Sequence, residues 1–226
     1  MAKDTAGKPV SAFDLFPQSV KLIRENIKLF AIVYSVPILM TLLQLFNSGG
    51  DTTVDTTTLG NVNAAAVLGV SAGVSAVILV VGGILEVMSL GLELAVVKGV
   101  KTDLAKLWEL TKKYFFRLIG LGIVVAVVVL VGFLLLIVPG FFMIRNYLLA
   151  PYFMIDQDLG IMDSMKKSKE MAQANSGAIW GLIGVTILIA VVPSFLGTIG
   201  SVAASLLGIA YSVAPALRYV ELKKLG

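Results

Sequence analysis

Six apolar runs, set apart by short polar stretches, constrain this chain more than any other feature. They lie at about 27–46, 64–88 (continuing as helix to about 98), 118–138, 141–155, 178–192 and 195–217. About 20 residues of helix cross a bilayer at 1.5 Å per residue, so each run reads as a spanning helix. The composition agrees. Only 14% of residues are charged and 58% are hydrophobic, against about 25% and 45–50% in soluble domains.

The lysines and arginines fix an expected orientation. Of 18, all but Arg145 fall in the N-terminal segment, in 98–117, in 166–169 or at the C-terminus. The loop 47–63 and the turns at Pro139-Gly140 and Pro193-Ser194 have none. Six spans with both termini cytoplasmic put every basic cluster on one side, as the positive-inside rule requires. The basic balance is therefore read as membrane-side lysine rather than as a nucleic-acid surface. The N-terminal segment lacks the apolar core of a signal peptide, and the first run is expected to be retained.

Three stretches beside these runs have helical periodicity with one apolar and one charged face. They begin near Asp14, Asp103 and Asp163. In that register, Ser19, Trp108 and Ser168 coincide, as do Asn26, Phe115 and Asn175. The expected fold is all-α: six transmembrane helices and three cytoplasmic amphipathic interfacial helices, in pseudo-repeats at about 14–100, 103–160 and 163–226. The whole chain, 1–226, forms one membrane domain, with 1–10 a flexible tail.

Chemistry is mainly excluded. The chain has no cysteine and no histidine. Disulfides, thiol nucleophiles, Ser-His-Asp triads and the usual zinc sites are ruled out. No P-loop, Rossmann fingerprint or EF-hand is present, and no cofactor, metal or catalytic residue is expected. Asp156 and Asp158 read as solvated turn acids, and Glu93 as a solvated helix end near Lys98.

Arg145 is the residue least at home in its surroundings. An arginine at mid-bilayer costs at least about 2.5 kcal/mol, so it should face protein or water. Glu86, expected at a similar depth, is its expected partner. The pair reads either as a structural tie or as a polar gate between spans two and four. Trp108, Lys112, Lys113, Lys166 and Lys167 suit contact with anionic lipid or a protein partner. Gly69 and Gly73, and Gly177 and Gly181, have the spacing that lets helices approach closely, within one chain or in a homo-oligomer.

The stretch 138–170 carries a resemblance. Pro139-Gly140, Ile144-Arg145-Asn146-Tyr147, Ala150-Pro151-Tyr152 and Met162-Asp163-Ser164-Met165-Lys166-Lys167-Ser168 form a pattern similar to that of YciC-like proteins. That family also takes in the membrane domain attached to some glycerophosphoryl diester phosphodiesterases. Met171-Ala172 stands where the family pattern has an aromatic. The resemblance implies a six-span cytoplasmic-membrane protein of mostly unknown activity, and no phosphodiesterase domain is present. The expected function is non-enzymatic, structural or regulatory, exerted through the cytoplasmic helices on lipid or a partner. The alternative is a transporter or channel centred on Glu86 and Arg145.

Overall fold

The computed structural model describes residues 8–39 and 64–225, with side chains described from residue 80 in the second stretch except at 194 and 198. Ten helices with both ends described and one short 3-10 turn lie in the described chain, residues 35–39 are helical as well, and no strand occurs among these residues. They are α1 Leu15–Glu25, α2 Ile27–Val33, α3 Ala64–Val97, α4 Leu104–Leu135, α5 Ile137–Tyr147, α6 Ala150–Gln157, α7 Ile161–Ala174, α8 Ser176–Val191, α9 Gly197–Tyr211 and α10 Ala214–Leu225. The end of the first expected span, with the loop after it, lies outside the described residues.

The α3–α4 connection shows how local sequence sets the chain path. Gly99 adopts φ +67, which glycine takes without strain. The amide of Val100 donates to the Ala95 carbonyl at 2.9 Å, and that of Gly99 to Val96 at 3.1 Å. This is a Schellman ending. Asp103 then caps α4 by accepting from the Lys106 amide at 2.9 Å. The 32 residues of α4 extend about 48 Å, well beyond a hydrocarbon core of about 30 Å. The charged segment 101–117 was expected as a separate amphipathic helix. From Leu104 it instead runs into the apolar part of α4 without a break.

Other expected boundaries shift. The turn between the third and fourth apolar runs is Leu136 alone, in extended conformation, not Pro139-Gly140. Pro139 sits in the first turn of α5, where its missing N–H costs no bond. Gly132 and Gly140 let α4 and α5 touch. A Cβ on Gly132 would stand 3.0 Å from the Gly140 Cα, and one on Gly140 2.5 Å from the Phe133 ring. The fourth run is not one helix, since α5 and α6 are separated at 148–149, just ahead of Pro151. The sixth breaks likewise at 212–213, ahead of Pro215.

Three helices are long and apolar enough to cross a membrane: Val80–Val97 within α3, Leu104–Leu135, and the broken helix Ile199–Leu225. A fourth is added if α7 and α8, bent by 99° at Asn175, count as one. The interior is concentrated at one end of the bundle. There α3, α6, α8 and α10 share a core of Leu90, Leu94, Tyr152, Phe153, Ile183 and Tyr219. At the other end Leu134, Ile137, Phe195 and Ile199 point outward. Such a surface suits lipid and not water.

Candidate functional site

Two acids at the C-terminal end of α6 organise the packed end of the bundle. The Asp156 side chain is almost wholly buried, 3% exposed. Tyr219 donates its hydroxyl to it at 2.6 Å, and Lys223 an ammonium proton at 2.7 Å. Lys98, just past the end of α3, is a third partner, in a close ion pair. One carboxylate thus joins α3, α6 and α10. The reading as a solvated turn acid fails because the helix end is covered by α10.

Asp158 caps α6 in the left-handed region, φ 50, which aspartate tolerates better than most residues. Lys113 and Arg117 each approach it at 2.9 Å, and the Tyr114 hydroxyl donates at 3.0 Å. It ties α4 to α6, although it is half exposed. The hydrogen bond from Lys113, and then that from Tyr114, hold its carboxyl below the usual aspartate value. A depressed folded-state value adds stability at neutral pH, which is lost as the group is protonated on acidification. We expect Asp158→Asn, which keeps the left-handed backbone, to lower the thermal midpoint slightly at pH 7. The difference from the parent should vanish as pH falls below about 4. A midpoint difference that does not change with pH would contradict this.

Glu93 is a third organising acid, and it too departs from expectation. It was read as a solvated end of helix, yet it is 4% exposed. Tyr34, at the end of α2, donates to one carboxylate oxygen at 2.6 Å, and Tyr152 of α6 donates to the other at 2.8 Å. Around it Leu90, Leu92, Leu94 and Val96 are all buried, so this part of α3 has no outward face. The run 87–97, with scarcely a polar interruption, was the signal that could have revealed this. Tyr152 and Asp156, four residues apart on α6, lie on one face. The Tyr219 ring stacks on Tyr152 at 5.9 Å and links the two acid sites.

The structure does not bring Glu86 and Arg145 together. Glu86 is exposed and makes no ion pair among the described residues. Arg145 is 7% exposed. Its guanidinium donates to Asn146 Oδ1 at 2.7 and 3.2 Å and to Ser176 Oγ at 3.0 Å, and lies 4.9 Å from the Phe142 ring centroid. Every one of these partners is neutral. The sequence register overlooked Ser176, because the 99° bend brings the start of α8 against α5.

The glycines divide in the same way. Gly69 and Gly73 belong to the part of α3 whose side-chain surroundings lie outside the described residues. Gly181 meets Ala12 of the N-terminal segment, where a Cβ would approach to 3.3 Å, so it accommodates that segment rather than a spanning helix. Gly177 has nothing within 4 Å of a built Cβ and is not a packing contact among the described residues.

Two pairs of residues aligned by sequence have matching geometry. Ser19 donates to the Ala210 carbonyl and Ser168 to the Asn146 carbonyl, both at 2.7 Å. Each carbonyl belongs to the last residue but one of a helix, α9 and α5 respectively. Asn26 and Asn175 share nearly the same backbone, φ −120, ψ 27 and φ −121, ψ 41. Each donates its side-chain amide to the carbonyl four residues earlier and ends its helix.

The lysines expected to face outward are in part used internally. Lys113 goes to Asp158, and Lys167 donates to Gln157 at 2.6 Å. Among the described residues Lys112 pairs only with exposed Glu109, at 2.5 Å, and Lys166 is exposed. Trp108 is 47% exposed, and Met162 is 67% exposed.

The class these observations define is an all-helical membrane protein with several helices able to span. The chain belongs to an uncharacterised protein family, UPF0259, whose pattern matches residues 56–214, well over half of its 226 residues. Comparison with the curated proteins and with the solved structures finds no match.

Proposed function

We propose that this is a non-enzymatic, multi-pass protein of the cytoplasmic membrane that engages anionic lipid at its packed end. One observation carries the reading. On two separate helices an exposed large apolar side chain stands one turn before an exposed lysine: Trp108 and Lys112 on α4, Met162 and Lys166 on α7. Residues four apart share a helix face. An apolar body beside a cation suits the boundary between acyl chains and anionic headgroups. The full architecture proposed is six spans, both termini cytoplasmic, in three related units. The matched geometries of Ser19 with Ser168, and of Asn26 with Asn175, support related units.

The transporter reading has less behind it. A conducting path needs polar groups that remain available. Asp156, Asp158 and Glu93 are held by the protein's own donors, and Arg145 turns away from Glu86.

Trp108 supplies the test. The chain has two tryptophans, and Trp180 packs edge-on against Phe142 at 5.8 Å. In a Trp180→Phe background, the remaining fluorescence should be quenched more by brominated phosphatidylglycerol than by brominated phosphatidylcholine. Lys112→Gln with Lys166→Gln should remove the preference. Equal quenching by both lipids in the parent would refute the reading.

A further inference from the structure

Two apolar runs are broken where a spanning helix should continue, and a serine meets each break. α5 gives way to α6 at 148–149, ahead of Pro151, and α9 to α10 at 212–213, ahead of Pro215. A proline has no amide to give, and its ring pushes off the preceding turn, so carbonyls just before it lose their partners. The Asn146 and Ala210 carbonyls, each five residues before the proline, accept from no backbone amide among the described residues. A buried carbonyl in an apolar setting needs a donor. Ser168 of α7 supplies one to the first and Ser19 of α1 to the second, each at 2.7 Å, and both serines are fully buried.

The third position in this register serves as a comparison within the chain. Trp108 stands there and has no hydroxyl. The start of α4 packs on α3 through Leu107, against Leu92 and Val96. That helix runs unbroken from Ala64 to Val97, so there is no break to cap. The serine occurs where the neighbouring helix is broken and is missing where it is whole.

The helix α7 connects one of these breaks to the surface. It is bent by 99° from α8 at Asn175, and so lies across the bundle rather than along it. Two adjacent residues on it grip both sides of the break at 148–149. Ser168 holds Asn146 of α5, and Lys167 donates to Gln157 of α6 at 2.6 Å. Met162, Lys166 and Lys169 of the same helix are exposed. Beyond the break, α6 carries Tyr152, bonded to Glu93, and Asp156, bonded to Tyr219 and Lys223. A shift of α7 at the membrane surface therefore acts on the break, and through it on both acid sites.

We propose that α7 is a lipid-operated latch. Anionic phospholipid drawn to Lys166 seats the helix, and Ser168 then holds the break at 148–149 closed. The latch rests on the lipid-facing reading above, and adds what lipid contact does inside the protein.

The test follows hydrogen exchange of the full chain in nanodiscs of phosphatidylglycerol or of phosphatidylcholine. In the parent, amides around 148–153 should exchange about fivefold more slowly in phosphatidylglycerol. Ser168→Ala should speed exchange there about fivefold and abolish its dependence on lipid. The α9–α10 junction, held by Ser19, should keep the parent rate. Lys166→Gln, on the exposed face, should abolish the lipid dependence at 148–153 and leave the rate in phosphatidylcholine unchanged. That variant decides the matter if Ser168→Ala does not fold.

Equal rates at 148–153 in the two lipids overturn the latch. If Trp108 is still quenched more by brominated phosphatidylglycerol, the general lipid reading survives without it, whereas equal quenching removes both. Faster exchange at both junctions in Ser168→Ala marks a general loosening and overturns the latch too. So does a lipid dependence that persists in Lys166→Gln.

Discussion

Asp156→Ala is expected to be the most destabilising single substitution at the packed end of the bundle. It removes an acceptor shared by Lys98, Lys223 and the Tyr219 hydroxyl. Deleting one partner of a buried ion pair costs about 3–5 kcal/mol when the other charge stays buried. Here the lysine side chains are 34% and 44% exposed and can turn to water, which lowers that share. Tyr219, wholly buried, cannot do so. A stranded buried hydroxyl adds about 1–3 kcal/mol. The total is about 3 kcal/mol, a loss of roughly 6–12 °C in midpoint for a chain of this size. Asp156→Asn keeps an acceptor and should lose less than half as much. A drop of under about 2 °C for Asp156→Ala would show that these three elements are not held together by this carboxylate.

The second large effect is expected at Glu93. Glu93→Leu matches the apolar surroundings but leaves the phenols of Tyr34 and Tyr152 without their acceptor. Tyr152 is almost wholly buried and Tyr34 partly so, and the expected cost is about 2–3 kcal/mol. The signature is coupling. Combining Glu93→Leu with Tyr34→Phe and Tyr152→Phe removes donors and acceptor together, and should recover at least half of the loss. Simple additivity in that cycle would show that the phenols are not anchored on the carboxylate. Glu93→Gln, which retains an acceptor oxygen, should fall between the parent and Glu93→Leu.

These two acids also mark where sequence reasoning stops. Helicity, membrane character and the confinement of basic residues are local or compositional, and the residues carry them directly. The register that aligns Ser19 with Ser168 and Asn26 with Asn175 is visible as well: the asparagines end their helices by local bonds, while the serines keep the same place but find their acceptors far along the chain. Asp156 and Glu93 are different. Their partners Lys98, Lys223, Tyr34 and Tyr152 lie 58 to 67 residues away in the chain, and no spacing rule connects them. The same holds for Arg145. Its depth suggested Glu86, but the bend at Asn175 supplies Ser176 instead. The bonds of Val10 to Arg218 and Glu221 of α10 were missed because residues 1–10 read as a tail.

The N-terminal segment therefore has a structural role. Tyr211 donates to the Ala12 carbonyl at 2.9 Å, and Ala12 packs with Leu15, Leu182 and Val185. It forms one wall of a recess at the start of α8, so the geometry of that recess depends on Arg218 and Glu221 holding Val10.

The acids of the packed end are held by the protein's own donors, and we propose that its exposed lysines and apolar side chains turn to anionic lipid. The most direct measurement compares thermal midpoints of the intact protein in nanodiscs of phosphatidylglycerol and of phosphatidylcholine, at low and at high salt. The midpoint should be higher in phosphatidylglycerol, an advantage reduced by salt and lost when Lys112 and Lys166 are glutamine. Equal midpoints in the two lipids at low salt would contradict it.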